Sequence, residues 1–228
     1  FRCTITVMNT IGITMGCPTG IGPEIILRYF QQHPQQPDYK AVVLGDLAVL
    51  EKSRTEMGFR LPLASWQPCT PLPEAAIPVV QLSSLSADIL RWGKPNRSTA
   101  SAMVNYITKG VEYIKQGWLD GIATCPISKE ALNDAGYNFP GHTEMLADLT
   151  GAKDYAMMMA GSKLCVTLVT IHCPLSEVPT AISTERILRL IQTTDRALKV
   201  DFAIVRPRIA VAGLNPHGGE NQLFGSEE

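Results

Sequence analysis

The stretch Ile5-Thr-Val-Met-Asn-Thr-Ile-Gly-Ile-Thr14, running on into Met15-Gly16-Cys17-Pro18-Thr19-Gly20-Ile21-Gly22-Pro23-Glu24, decides the fold. Its first half is apolar and β-branched, which predicts a strand. Its second half is a glycine-rich turn, and Pro23 suits the first turn of a helix that runs to Phe30. The same change of pattern recurs downstream. Ala41–Gly45 reads as a strand followed by a helix from Asp46 to about Met57. Ile77–Gln81 is a further strand. The preceding segment carries Pro62, Pro68, Pro71, Pro73 and Pro78, so it is irregular or forms short edge strands, because proline removes a ladder donor.

A helical period runs from Ser98 to Gln116 and stops at Gly117. Gly121–Cys125 is a strand, with helices expected over Ser128–Ala135 and Glu144–Thr150. Ala156–Ala160 and Leu164–Ile171 read as a hairpin through Gly161-Ser162. Ser183–Val200 is a long helix, and Pro207–Gly213 a final strand. Strand–helix alternation of this kind argues a three-layer α/β/α fold with a mostly parallel, partly mixed sheet. Two lobes with a cleft are expected, residues 1–130 and 131–228.

Composition narrows the function. Apolar residues make up 45% and charged residues 18% of the chain, as in a globular domain. A net charge of −1 offers no footprint for nucleic acid or an anionic membrane. No apolar run is long enough to span a bilayer, and the opening residues do not read as a signal peptide. Six cysteines without a Cys-x-x-Cys pair indicate reduced, buried or half-buried thiols and a cytoplasmic protein. The chain does not begin with Met. Ser226-Glu-Glu reads as the first turn of a helix that then does not follow, so the chain reads as truncated.

Several segments carry chemistry. Thr170-Ile-His172-Cys-Pro-Leu and Gly213-Leu-Asn-Pro-His217-Gly-Gly-Glu220 each place a histidine just after an expected strand. A residue at the carboxyl end of a parallel strand faces the crevice where open α/β sheets bind ligands. His172 and His217 thus form a partial metal site, with Glu177 and Glu220 as candidate supporting carboxylates. Alternatively they are ordinary hydrogen-bonding histidines. Three protein ligands are usual at such a site, and the chain offers no obvious third. Lys129, in Thr124-Cys-Pro-Ile-Ser-Lys129, follows a strand end. It is a candidate for proton transfer or anion binding, or else a solvated lysine. Pro140-Gly-His142-Thr143-Glu144 enters a helix; Thr143 reads as its N-cap, and free N–H groups there suit an anion. The turn at Gly16–Glu24 shapes a ligand cleft or is simply tight. It has neither the dinucleotide nor the Walker A spacing.

Taken together, Gly20-Ile-Gly-Pro-Glu24, Pro126-Ile-Ser-Lys129, Gly141-His-Thr-Glu144, Thr170-Ile-His172-Cys-Pro-Leu and Gly213-Leu-Asn-Pro-His217 resemble the 4-hydroxythreonine-4-phosphate dehydrogenase family of vitamin B6 biosynthesis. That family's fold is related to the isocitrate and isopropylmalate dehydrogenases. The resemblance implies NAD- or NADP-dependent oxidation of the secondary hydroxyl of 4-phosphooxy-L-threonine, then decarboxylation to 3-amino-2-oxopropyl phosphate. It implies a divalent metal (Zn, Mg, Co or Mn) held by three histidines; His172 and His217 match two, and the third is expected beyond residue 228. His142 and Thr143 match substrate-binding positions. A homodimer with the active site at the subunit interface is implied as well. The cofactor-binding residues are not identified.

The chain departs from the family at Gly16-Cys17-Pro18-Thr19, where Gly-Asp-Pro-Ala is usual, which questions any role for that carboxylate. The family also continues for about another third of its length, so this stretch alone is expected to have little or no dehydrogenase activity. Two other functions compete: oxidation of a related substrate, such as threonate or erythronate 4-phosphate or a dihydrodiol, and a non-catalytic α/β domain.

Overall fold

The computed structural model describes residues 8–34, 39–139 and 141–227. Ile5–Val7 of the first expected strand, Cys3, Pro140 and Glu228 lie outside the described residues. The chain divides into two compact units, residues 1–150 and 151–228. The sequence reading placed the division at 130/131. It falls later because the two helices after residue 128 pack against the long helix before them.

In the first unit, β1 (Asn9–Thr14) leads through the glycine-rich turn into α1 (Gly22–Gln32). β2 (Tyr39–Gly45) and α2 (Leu47–Glu56) follow, then β3 (Leu63–Ser65), β4 (Ile77–Gln81) and α3 (Arg97–Lys115). β5 (Gly121–Thr124), α4 (Lys129–Asp134) and α5 (His142–Thr150) complete it. The five strands are all parallel, in the order β3-β4-β2-β1-β5. The expected parallel sheet with flanking helices is present, and the proline-rich segment supplies the short edge strand β3.

β2 shows why the layers form. Ala41 to Gly45 are all buried, as a central parallel strand covered on both faces requires. Because successive side chains alternate, Ala41 and Val43 join Ile26, Leu27, Val49 and Leu50 under α1 and α2. Val42 and Leu44 join Leu119 and Ile122 on the opposite face. α3 lies over that face, and Gly110 lets it close on Leu44 and Ile122: a methyl there would stand 3.1 Å from each. Burying each such large side chain contributes roughly 2 kcal/mol.

Local chemistry fixes the helix starts. Asn96 Oδ1 accepts from Thr99 N–H at 3.0 Å, and Thr99 Oγ1 accepts from Asn96 N–H at 2.8 Å, a reciprocal cap at α3. Asp46, fully buried, caps α2 through Ala48 N–H (2.9 Å) and also accepts from Ser83 Oγ (2.7 Å) and Leu85 N–H (2.9 Å). Ser83 Oγ in turn meets the Tyr106 hydroxyl at 2.6 Å. Burial raises that tyrosine's pKa.

The second unit has β6 (Met158–Ala160) and β7 (Cys165–Thr167), α6 (Val178–Ala181) and α7 (Thr184–Val200), which Ser183 caps. β6 and β7 pair antiparallel in their own two-stranded sheet. The hairpin is therefore present but does not mix with the parallel sheet. Two expectations fail. Leu168–Ile171 is not strand, and neither is Arg208–Gly213. A strand needs a ladder partner for its N–H and C=O groups, and no described strand lies beside 208–213. Ser226 and Glu227 are not helical either.

The five described cysteines are all free. Cys17 and Cys125 are buried, but Cys69 and Cys165 are exposed, contrary to the expectation of buried or half-buried thiols.

Candidate active site

The topology points to one place in the first unit. β1 and β5 are neighbours, level at Thr14 and Thr124. From β1 the chain leaves to α1, and from β5 it leaves to α4, which packs against α3 on the other face. Where adjacent strands send their connections to opposite faces, a crevice opens at their carboxyl ends. The glycine-rich turn and Pro126–Lys129 line it.

The glycines of the turn are explained by packing. Gly16 sits at φ +66°, and a Cβ there would come 2.3 Å from the Pro126 carbonyl oxygen. Cys17 N–H donates to that same oxygen at 2.9 Å. A Cβ at Gly22 would stand 2.0 Å from the Met15 oxygen. Two loops thus meet backbone to backbone, and only glycine allows it. Cys17 is buried with Ala100, Met103, Ala131 and Leu132. In that apolar setting it acts as a small hydrophobe, its Sγ 3.5 Å from Thr19 Oγ1.

Lys129 begins α4, which Ser128 caps by accepting from Ala131 N–H at 3.3 Å. Met145 anchors α5 against the body of the unit, and Lys115 Nζ donates to the Leu149 carbonyl at 2.7 Å. α5 begins at His142, so Thr143 stands inside the first turn rather than capping it. This corrects the sequence reading, which began the helix at Glu144; with Gly141 preceding, the helix begins two residues earlier.

The structure brings Lys129, His142, Thr143 and Glu144 to one corner. A methyl built on buried Gly141 would lie 3.4 Å from Glu144 Oε2 and 3.8 Å from Lys129 Nζ. Burial, and then the Lys129 ammonium, hold the His142 pKa below the usual histidine value. His142 is therefore neutral near pH 7. Its Nε2 and Glu144 Oε2 are closed off from solvent and have no hydrogen-bond partner among the described residues. Such groups are costly to leave unpaired. An ammonium, a neutral imidazole and the N-terminus of a nine-residue helix together suit an anionic ligand.

Sequence reasoning passed over Glu144, whose place in Gly-His-Thr-Glu reads as simple helix-dipole complementation. The spacing that sets it one turn back towards Gly141 was the available signal.

The two histidines of the second unit are both exposed. His172 has φ 55° and lies five residues beyond the end of β7. His217 follows an extended, unpaired segment, so neither stands at a parallel strand end as expected. His217 Nδ1 lies 3.1 Å from Glu220 Oε1, and its Nε2 has no partner among the described residues. This carboxylate–imidazole pairing is the one that orients metal-binding histidines. The Glu177 side chain has no partner among the described residues. No group of three or more metal-capable side chains occurs among the described residues either. The donor chemistry fits a divalent ion at His217, but the described set is incomplete.

Comparison with known proteins decides the family. Residues 38–228 match the profile of the pyridoxal phosphate biosynthetic protein PdxA. The chain belongs to the PdxA family. A 4-hydroxythreonine-4-phosphate dehydrogenase from Desulforapulum autotrophicum is 46% identical over 96% of the chain, which spans 65% of that relative's length. The crystal structure of 4-hydroxythreonine-4-phosphate dehydrogenase from Klebsiella pneumoniae superposes with TM-score 0.85 at 35% identity, over 96% of this chain and 68% of that one. A terephthalate 1,2-cis-dihydrodiol dehydrogenase from Burkholderia xenovorans is more distant, with TM-score 0.62 and 25% identity, over 96% of this chain and 66% of that one. The chain spans about two thirds of the length of the relatives it matches. Among the described residues no helix is long and apolar enough to cross a membrane.

Proposed function

We propose that the protein oxidises the secondary hydroxyl of 4-phosphooxy-L-threonine with NAD, or NADP, and that the product decarboxylates to 3-amino-2-oxopropyl phosphate. The observation that carries this reading is the corner at Gly141. There Lys129 and a neutral His142 converge at the topological switch point of a chain from the PdxA family. Lys129 receives an anionic group of the substrate or assists a proton transfer. His142 offers Nε2 as a hydrogen-bond partner, and Thr143 adds a hydroxyl beside the free N–H groups of α5. His172 and His217, with a further ligand outside the described residues, would hold a divalent ion (Zn, Mg, Co or Mn). When bound, that ion lowers the pKa of a hydroxyl it touches. NAD supplies the hydride acceptor, and the protein's own task is placement and electrostatics. A cytoplasmic homodimer with its active site at the subunit interface completes the proposal.

Turnover assays on the full-length protein test it, with metal and NAD present. Formation of NADH and carbon dioxide from 4-phosphooxy-L-threonine, abolished by chelation, is the expected result. Oxidation of D-threonate 4-phosphate or of a cis-dihydrodiol, with no turnover of 4-phosphooxy-L-threonine, would reassign the substrate. An intact protein that binds no divalent ion would point to a non-catalytic domain.

A further inference from the structure

Glu144 is an acidic side chain of the Gly141 corner to which neither the sequence reading nor the proposed reaction gives work. Its Oε2 is sealed from solvent and has no partner among the described residues. An acid in the first turn of a helix ordinarily turns to water or reaches back to a free N–H; this one lies against Gly141 instead. Lys129 approaches the same point from α4, with Cε and Nζ each 3.8 Å from it. Carboxylate and ammonium both border the point where a Cβ of Gly141 would lie. The two differ in freedom. Glu144 rides on α5, which Met145 and the Lys115–Leu149 bond hold in place. Lys129 is exposed, on a four-carbon stem with many rotamers.

We propose that Glu144 is a positioning residue for Lys129: its fixed carboxylate draws the mobile ammonium over Gly141 and so sets where that ammonium meets an anionic group of the substrate. This rests on the reading of Lys129 given above.

Two measurements on the full-length protein test it. The first needs no substrate. Acylation of Lys129 by an amine-specific reagent at neutral pH is followed by mass spectrometry. Glu144→Gln is expected to label several-fold faster, because the amine is no longer held over Gly141 by an opposite charge. Equal rates in the two proteins overturn the proposal. The second is a double-mutant cycle with 4-phosphooxy-L-threonine and NAD. Glu144→Gln is expected to raise KM roughly tenfold with little change in kcat, the size of one lost charge-assisted contact. Glu144→Asp recovers part of that loss. In a Lys129→Ala background Glu144→Gln adds nothing further; effects that multiply overturn the proposal. Should the wild-type protein not oxidise this substrate, the functional reading fails, and the labelling experiment still decides the role of Glu144.

Discussion

The two units carry similar apolar sequence and make different use of it. Ala41–Gly45 in the first and Arg208–Gly213 in the second are both short apolar runs. The first is a central strand with every residue from 41 to 45 buried; the second is unpaired, with Val211 58% exposed. In the second unit Thr194, Leu198 and Gly219 are the only buried positions among the described residues. An apolar run becomes a core strand only where neighbours supply both a hydrogen-bond ladder and cover for its faces. The first unit has these neighbours on each side of β1 and β2; among the described residues the second has not.

The sharpest way to break this comparison is to make one substitution in both units. Gly16 and Gly218 both have positive φ, but a Cβ meets Pro126 O at 2.3 Å at the first and nothing within 4 Å at the second. Gly16→Ala is expected to cost about 3–5 kcal/mol, from dihedral strain plus a backbone clash. Gly218→Ala should cost about 1 kcal/mol, from the dihedral alone. Urea melts of the full-length protein measure both, and equal costs would mean that the two loops do not meet as described.

Thiol reactivity sharpens the contrast next. Burial pushes the Cys125 thiol up to about 11, whereas Cys165 in β7 is exposed. A maleimide at pH 8 is expected to modify Cys165 on the order of 100-fold faster than Cys125. Comparable rates would show that the floor of the first unit opens as readily as the surface of the second.

The smallest effect is on acid stability. The folded pKa of His142 lies below its unfolded value, so on acidification the unfolded chain takes up the proton first. Stability from this group is complete above about pH 6.5 and falls as pH drops from there to the lower folded pKa. The ring is only partly buried, so solvent reduces the effect. His142→Asn should flatten the slope between pH 7 and 5 in thermal melts; an unchanged slope assigns it to other groups.

These contrasts follow how the sequence could be read. β1, β2, β4 and β5 were legible because each is an apolar run bounded by glycine, proline or a capping residue, and every neighbour it needs lies within residues 8–150. The limits of α3 were nearly right, although its start depends on the Asn96–Thr99 cap just outside the apolar period. Arg208–Gly213 was misread because periodicity reports a face able to be buried, not whether anything buries it. Lys129 and His142 were named as candidates because they sit beside helix starts, the usual setting of binding groups. Glu144 was given no role because its helix position offered it an adequate structural one. The strand-end argument for His172 and His217 failed with the strands it assumed. What speaks for His217 instead is Glu220, three residues on, which the sequence reading had named as a candidate partner.

The meeting of Gly16 and Cys17 with Pro126 has a mechanical consequence. It ties the turn after β1 to the turn after β5 by their main chains, so the two are a weld rather than a hinge. Neither can lengthen or swing by itself without prising the other loose.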